Sequence, residues 1–315
     1  MHNHNHILEG RKRMFEKKVY FTSCLCMKNT YCVKEELPSP SRYERRVLTK
    51  DEYNKEHVIL FEKIGNKLPN ESDLMFDIID VHDSILYPED LIERSNIYVH
   101  ENEIGFVYKK AFLYFDSFDG ILSSCNKNDK VAFLERLCAV LEDIHRNNIF
   151  LNGFDKKQIL IKGDTVQFRY NGFKNHNRNS IYRVPDFFAR DYSETPWILD
   201  VFSLVAIIFE CMYEWKPFFG NMTSFSEDEE HQFDVFYNNF RKKIFIFERE
   251  NKLNEIGFLV NQRPIVEKWS ETDEHICDFF HNILTMDIPK EYTQEFVFEE
   301  IHKLIDYYKN TEIFQ

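Results

Sequence analysis

The sequence predicts an α+β protein in which a small β-rich N-terminal region carries one long helix and a larger C-terminal region is mostly helical. Strand-like runs dominate residues 15–112, whereas residues 113–315 contain long patterns with helical spacing of apolar residues. We therefore predict two lobes with these boundaries. Residues 1–14 are left out of the fold, because the alternating His2, His4 and His6 are typical of a purification tag or a disordered terminus and bind metal ions only weakly.

The C-terminal region is organised around an apolar stretch, LDVFSLVAIIFECMYEWKPFFG, from Leu199 to Gly220. Its centre, Val201 to Met212, is apolar at nearly every helical position, and only Ser203 and Glu210 interrupt it. A helix that is apolar all round is either buried in a domain or spans a membrane. A span needs about 18 or more uncharged apolar residues, and Asp200 and Glu210 bracket fewer. We predict a buried central helix, with Asp200 near its start, where a carboxylate accepts hydrogen bonds from backbone N–H groups.

The composition restricts the classes of partner. A chain of 315 residues with 43% hydrophobic content can bury a sizeable core. The net charge of −13 argues against nucleic acid or an anionic membrane as a primary partner, because both are negatively charged. Seven scattered cysteines, with no secretory signal and no transmembrane run, favour free thiols in a reducing cytoplasm. We therefore predict a cytoplasmic protein whose partner is another protein.

In the N-terminal region, the runs between Lys17 and Leu37 flank a polar turn and predict a β-hairpin. Asp51 to Leu68 has the spacing of an amphipathic helix and is the long helix of this region. Leu74 to Val81, Asn96 to Val99 and Ile104 to Tyr108 are predicted strands.

In the C-terminal region, Asp129 to Arg146 is a predicted helix with its apolar residues on one side. Two short strands, Gln158 to Ile161 and Thr165 to Tyr170, follow it around a Lys-Gly-Asp turn. Beyond the central helix we predict three further helices: Phe233–Phe245, Glu274–Met286 and Phe296–Tyr308.

Over roughly residues 15 to 305, the order of elements and several phrases resemble the protein kinase family. The segment IHRNNIFLNGFDKKQILI, from residue 144 to 161, is similar to the helix end and catalytic loop of that family, and Val184-Pro185-Asp186 is similar to its Ala-Pro-Glu motif. The central helix resembles the family's own, in which the residue corresponding to Asp200 anchors the catalytic loop. Tyr31 to Lys34 resembles the strand with the phosphate-pairing lysine, and Glu56 its helical partner. The resemblance implies a bilobal kinase-like fold.

The same resemblance implies that the catalytic residues are missing. Kinases use an Asp to accept the proton of the attacking hydroxyl, and an Asn and a second Asp to hold metal ions. These positions are Gly153, Gln158 and Tyr170 in this chain. Gly153 has no side chain to accept a proton, and a neutral Tyr170 is a poor ligand for Mg²⁺, which prefers carboxylates. No glycine-rich loop precedes Val19 either. Phosphoryl transfer by the usual mechanism is therefore not expected, and no residue is assigned to catalysis or to a metal.

Two site questions stay open at this stage. Asp155, two residues beyond Gly153, becomes a displaced catalytic base only if the loop slips by one or two residues. Lys34 and Glu56 are the candidate cofactor-binding residues, as an ion pair that binds ATP without a metal; otherwise they form a structural pair or none. We expect no cofactor, and metal-independent ATP binding is the alternative.

The sequence thus predicts a pseudokinase, a catalytically inactive kinase-like protein with a regulatory or scaffolding role in protein binding. The polar, basic segment Lys174 to Arg183 is the candidate docking surface, and a solvated loop is its other interpretation. Two alternatives would bind ATP in the cleft that the kinase resemblance implies. One is an atypical transferase that carries out nucleotidylation or ligation, and the other is a non-canonical protein kinase.

Overall fold

In the computed structural model, the described residues are 20–22, 29–38, 44–63, 82–92, 103–110, 116–118, 125–169, 180–219, 229–243 and 263–314. They divide into two compact units. The N-terminal unit holds the described residues from 20 to 110 except 82–84, together with Arg169, and the C-terminal unit holds the others. The first is built on an antiparallel sheet and the second is mostly helical, so the chain is α+β as predicted. The lobe boundaries given above stay a prediction.

The N-terminal unit contains a six-stranded antiparallel sheet with the strand order β1-β2-β3-β4-β7-β6. Neighbours in sequence pair directly from β1 to β4, and β7 then lies beside β4 with β6 at the far edge. The strands of this sheet are β1 Tyr20–Thr22, β2 Thr30–Leu37, β3 Glu44–Lys50, β4 Glu56–Lys63, β6 Asp90–Ile92 and β7 Glu103–Lys109. The short strand β5, Ile85–Leu86, belongs to the same unit but not to this sheet.

The predicted helix from Asp51 to Leu68 is wrong where the structure describes it. Residues 56–63 form the central strand β4, and residues 64–68 lie outside the described residues. Four consecutive residues of β4, Val58 to Phe61, have no exposed surface. A strand buried on both faces loses the alternation of apolar and polar residues, and its pattern cannot be told from that of a helix. Glu56 therefore lies on a strand rather than on the long helix predicted for this region.

The predicted hairpin is confirmed, since β1 pairs with β2 in antiparallel register. The predicted strand from Ile104 to Tyr108 is β7. The predicted strands Leu74–Val81 and Asn96–Val99 lie outside the described residues. Strand β3 was not predicted.

The C-terminal unit begins with a short antiparallel sheet and continues as helices. Its strands are β8 Asp116–Ser117, β9 Ile159–Lys162 and β10 Thr165–Arg169, and β9 pairs with both of the others. Its helices are α1 Lys127–Arg146, α2 Asp186–Ala189, α3 Trp197–Tyr213, α4 Glu229–Arg241, α5 Arg263–Glu271, α6 Glu274–Leu284 and α7 Gln294–Asn310. Short 3₁₀ turns cover Lys156–Gln158, Arg190–Tyr192 and Glu312–Phe314. All the strands and helices predicted for this region are present, with shifted ends, and α5 was not predicted.

Helix α3 is the buried central helix that the sequence predicts. Fifteen of its residues, including Asp200 and Ser203, are buried, and it packs against α1, α6 and α7. Aromatic rings fill the space around its C-terminal half, where Phe209 and Tyr213 contact Phe280 of α6. Within the described part of the chain, no helix combines the length and apolar character needed to cross a bilayer.

Candidate functional site

A buried carboxylate on α3 holds the loop that follows α1. The side chain of Asp200 is fully buried. Its Oδ2 atom accepts the backbone N–H of Leu151 at 2.8 Å, and its Oδ1 atom accepts the N–H of Gly153 at 2.5 Å. The same Oδ2 atom lies 2.9 Å from Nε2 of His145, which is also fully buried. Asp200 thus binds the loop rather than the first N–H groups of its own helix, and this is the anchoring contact that the resemblance implies.

The local sequence lets the loop turn sharply towards α3. Helix α1 ends at the cap residue Asn147, and Asn148, Asn152 and Gly153 all have positive φ angles of 56°, 58° and 80°. Glycine adopts this left-handed conformation without cost, and asparagine tolerates it better than most residues. The repeated Asn residues and Gly153 therefore allow the two N–H groups of the loop to point at one carboxylate.

Gly153 occupies the position that the resemblance assigns to the proton-accepting aspartate. A Cβ atom there would lie 3.4 Å from Nε of Arg183 and 3.5 Å from the backbone oxygen of Leu199. Any side chain at this position would also have to adopt the positive φ angle. The neighbours leave ordinary contact distance for a Cβ atom, so the positive φ angle is what favours glycine at this position.

Asp155 and Gln158 form a capping box around the 3₁₀ turn that follows. Asp155 accepts the N–H of Lys157 with Oδ1 at 2.9 Å, and the Gln158 side chain accepts the N–H of Asp155 at 2.9 Å. The other carboxylate oxygen, Oδ2, accepts the Ser180 hydroxyl at 2.5 Å. Burial acts to raise the pKa of Asp155, but the Lys157 charge and N–H and the Ser180 hydroxyl outweigh it and lower the pKa. Both oxygens of Asp155 thus have a structural role, and a displaced catalytic base is not supported.

The two polar residues that interrupt the apolar run of α3 also bind segments outside the helix. The Ser203 hydroxyl accepts the backbone N–H of Phe154 at 3.0 Å. Glu210 binds Nζ of Lys156 at 3.2 Å with one oxygen and accepts the Tyr182 hydroxyl at 2.5 Å with the other. Lys156 Nζ also lies 4.9 Å from the centre of the Tyr182 ring. The loop and the segment around Tyr182 are therefore both fixed to α3.

Sequence reasoning did not assign a role to Ser203, Glu210 or Tyr182. A signal was present for the first two, because a polar side chain within a buried helix needs a hydrogen-bond partner. Their partners are far away in sequence, so the pattern alone could not name them. Tyr170, assigned by the resemblance to a metal-binding position, lies outside the described residues.

The candidate cofactor residues lie in the N-terminal unit and contact each other on the surface of the sheet. Nζ of Lys34 lies 3.1 Å from Oε1 of Glu56, and Nζ of Lys110 lies 2.6 Å from Oε2. These two lysines, Lys110 first, lower the pKa of Glu56 to about 2. Hydrogen bonding to Lys50 and Glu56 raises the pKa of Lys34, whereas the adjacent Lys34 lowers the pKa of Lys50. Three lysines thus surround the Glu56 carboxylate. The ion pair between Lys34 and Glu56 joins strands β2 and β4, rather than a strand and a helix.

Comparison of this chain with protein-family models and with curated proteins finds no match.

Proposed function

We propose that this chain is a catalytically inactive kinase-like protein that acts as a regulatory or scaffolding module for binding another protein. One observation carries the proposal. Asp200 accepts both backbone N–H groups of the loop, so the loop is held in place, but Gly153 offers no group that could accept a proton. The nearest carboxylate in the loop, that of Asp155, has both oxygens bound. A loop that keeps its structural contacts and lacks its reacting group fits a binding role.

We propose that the docking surface centres on Phe187 rather than on the segment Lys174–Arg183. Of the segment Lys174–Arg183, only residues 180–183 are described, and Ser180 and Tyr182 are buried there. Ser180 and Tyr182 therefore hold residues 180–183 in place and are not themselves available to a partner. Phe187 follows on α2 with 70% of its surface exposed, and its ring contacts Phe188 edge-on. Aromatic residues, including Phe, are enriched in protein interfaces.

Phe187 provides the test of this function. A partner is identified by cross-linking to the wild-type chain, and its affinity for the purified wild type, Phe187→Asp and Tyr53→Asp is then measured. Tyr53 is the matched control, since it is equally exposed, at 79%, but lies in the N-terminal unit. We expect Phe187→Asp to weaken binding at least about tenfold, as for a central interface residue, and Tyr53→Asp to have no effect. Equal affinities of all three proteins would contradict the proposed surface.

A nucleotide-dependent transferase is the second candidate, and the lysine-rich surroundings of Glu56 are the observation that favours it. Positive charge on an acidic chain attracts phosphate groups. Thermal-shift titrations with ATP, with and without Mg²⁺ or Mn²⁺, test it on the wild type and Lys34→Ala, because a bound ligand raises the melting temperature in a saturable way. A saturable shift lost in Lys34→Ala supports this candidate, and the absence of any shift contradicts it.

A further inference from the structure

A group of metal-ligating side chains lies where α1 packs against α7, outside the loop anchored by Asp200. Cys138 and Glu142 are four residues apart on α1 and share one face of the helix. Nε2 of His302 on α7 lies 2.9 Å from Oε1 of Glu142 and 4.0 Å from Sγ of Cys138, and all three ligand atoms lie within 4.8 Å of one another. We infer that these three side chains form a site for a divalent metal ion, with Zn²⁺ as the ion of choice.

The ligand types and spacing suit zinc. Thiolate, imidazole and carboxylate are its three protein ligands, and a site with three of them leaves the fourth tetrahedral position to water. Ideal bond lengths place the sulfur and nitrogen ligands about 3.5 Å apart, and the nitrogen and oxygen ligands about 3.4 Å apart. The observed separations of 4.0 Å and 2.9 Å differ from these values by about 0.5 Å. The third separation, between Sγ of Cys138 and the Glu142 carboxylate, is at most 4.8 Å, so binding an ion requires the three side chains to draw closer together.

The surroundings provide both an entry path and a support. Cys138 is fully buried, the Glu142 side chain is 18% exposed and the His302 side chain is 49% exposed. An ion can therefore arrive from solvent at His302 and reach the thiol at the base of the site. Oε2 of Glu142 binds Nη2 of Arg146 at 3.1 Å, which leaves Oε1 for the ion and fixes the carboxylate.

Metal binding converts the Cys138 thiol to a thiolate: the S–H bond breaks, the metal–sulfur bond forms and the proton passes to the buffer. The Cys138 thiolate and the Glu142 carboxylate then balance the charge of Zn²⁺, and Arg146 adds one positive charge at the exposed edge of the site.

The chain offers a matched control. His275 of α6 pairs with the buried Glu300 of α7, with Nε2 and Oε2 2.5 Å apart, so it is also a histidine–carboxylate pair that involves α7. If Glu142 and His302 formed only an ordinary ion pair, like His275 and Glu300, then removal of the Cys138 thiol would not change the affinity of the chain for a metal ion. The presence of the thiol distinguishes the two pairs.

The test uses the chain of 315 residues with His2, His4 and His6 changed to Gln, because alternate histidines bind metal ions themselves. Metal-free protein is titrated with Co²⁺ while the thiolate-to-cobalt charge-transfer band in the near ultraviolet and the visible bands of tetrahedral cobalt are recorded. Zn²⁺ is then added to displace the cobalt. The same titration is run on Cys138→Ser, His302→Gln and the control His275→Gln.

We expect one Co²⁺ per chain with a thiolate band, complete loss of the band in Cys138→Ser, and affinity weakened at least about tenfold in His302→Gln. His275→Gln should bind as tightly as the parent, and Zn²⁺ should remove the bands. No thiolate band in the parent, or a band that persists in Cys138→Ser, would overturn the site. Because the His302 side chain is half-exposed, His302→Gln should keep the fold even if Cys138→Ser does not. Unchanged metal affinity in His302→Gln would also overturn the proposed site.

Discussion

The contacts of Asp200 predict a large and local loss of stability when its carboxylate is removed. In Asp200→Ala, the N–H groups of Leu151 and Gly153 lose their acceptor, and the buried His145 loses its partner. Each buried donor left without a partner costs about 1–3 kcal/mol, so the two backbone N–H groups alone account for about 2–6 kcal/mol. We therefore expect Asp200→Ala to lower the free energy of unfolding of the C-terminal unit by about 2–6 kcal/mol. Asp200→Asn keeps the shape and one acceptor oxygen, and should lose about 2 kcal/mol.

Urea unfolding followed by tryptophan fluorescence measures this loss directly. The three tryptophans of the chain are Trp197, Trp215 and Trp269, and all of them lie in the C-terminal unit. The control is Asp164→Asn, which removes a fully exposed carboxylate that pairs with Arg136 at 2.7 Å and should change stability by less than about 1 kcal/mol.

Hydrogen exchange then shows where the stability is lost. In Asp200→Asn, the amide of Gly153 should exchange about 30-fold faster if its protection falls by about 2 kcal/mol. If Asp200→Ala is no less stable than Asp164→Asn, or if exchange in the loop is unchanged, the anchoring role of Asp200 is wrong.

Three further predictions concern other described residues. His57 is buried between Asp51 and Glu89, and hydrogen bonding to Glu89 is the largest cause that raises its pKa. Its stabilising effect is therefore complete below pH 6.5, the ordinary pKa of histidine, and is lost as pH rises through the raised value. The stability difference between wild type and His57→Gln should shrink as pH rises above 6.5 in urea titrations. Gly153→Ala and Gly163→Ala should each destabilise by about 1–2 kcal/mol, because both positions have positive φ; unchanged midpoints in thermal melts would contradict this. Tyr182→Phe should cost about 1.5–3 kcal/mol, because it removes a buried hydrogen bond to a charged group; an unchanged urea midpoint would show that this contact is not made in solution.

The sequence predicted correctly those helices whose pattern of apolar and polar residues can be interpreted without knowing what packs against them. Helix α3 is apolar on every side except at Asp200, Ser203 and Glu210, and α1 has a single apolar side, so both could be identified without knowing their neighbours. Strand β4 could not, because its four consecutive buried residues, Val58 to Phe61, show no alternation, and its pairing with β3 and β7 is visible only in the structure. Strand β3 has four charged residues out of seven and does not look like a buried strand. Its Arg45 lies opposite Phe61 in the register and packs its guanidinium 4.4 Å from the ring centre.

The candidate site was predicted only in part, because several of its contacts join residues that are far apart in the chain. The resemblance supplied the anchoring role of Asp200 and the missing group at Gly153. It also placed Glu56 on a helix, and that placement is wrong because residues 56–63 form a strand. The contacts of Ser203 and Glu210, and the meeting of His302 with α1, join residues far apart in the chain. No local pattern could predict them.

The central claim, that this chain transfers no phosphoryl or nucleotidyl group, is tested most directly with ATP labelled on either the γ- or the α-phosphate. Wild type and Lys34→Ala are incubated with each label, Mg²⁺ or Mn²⁺ and a set of protein acceptors, and both incorporated label and released ADP or AMP are measured. We predict that neither label is incorporated and that neither nucleotide appears above the level of heat-denatured protein. Metal-dependent transfer from the γ-position, or from the α-position, that is lost in Lys34→Ala would contradict the account and identify the chain as a kinase or a nucleotidyltransferase.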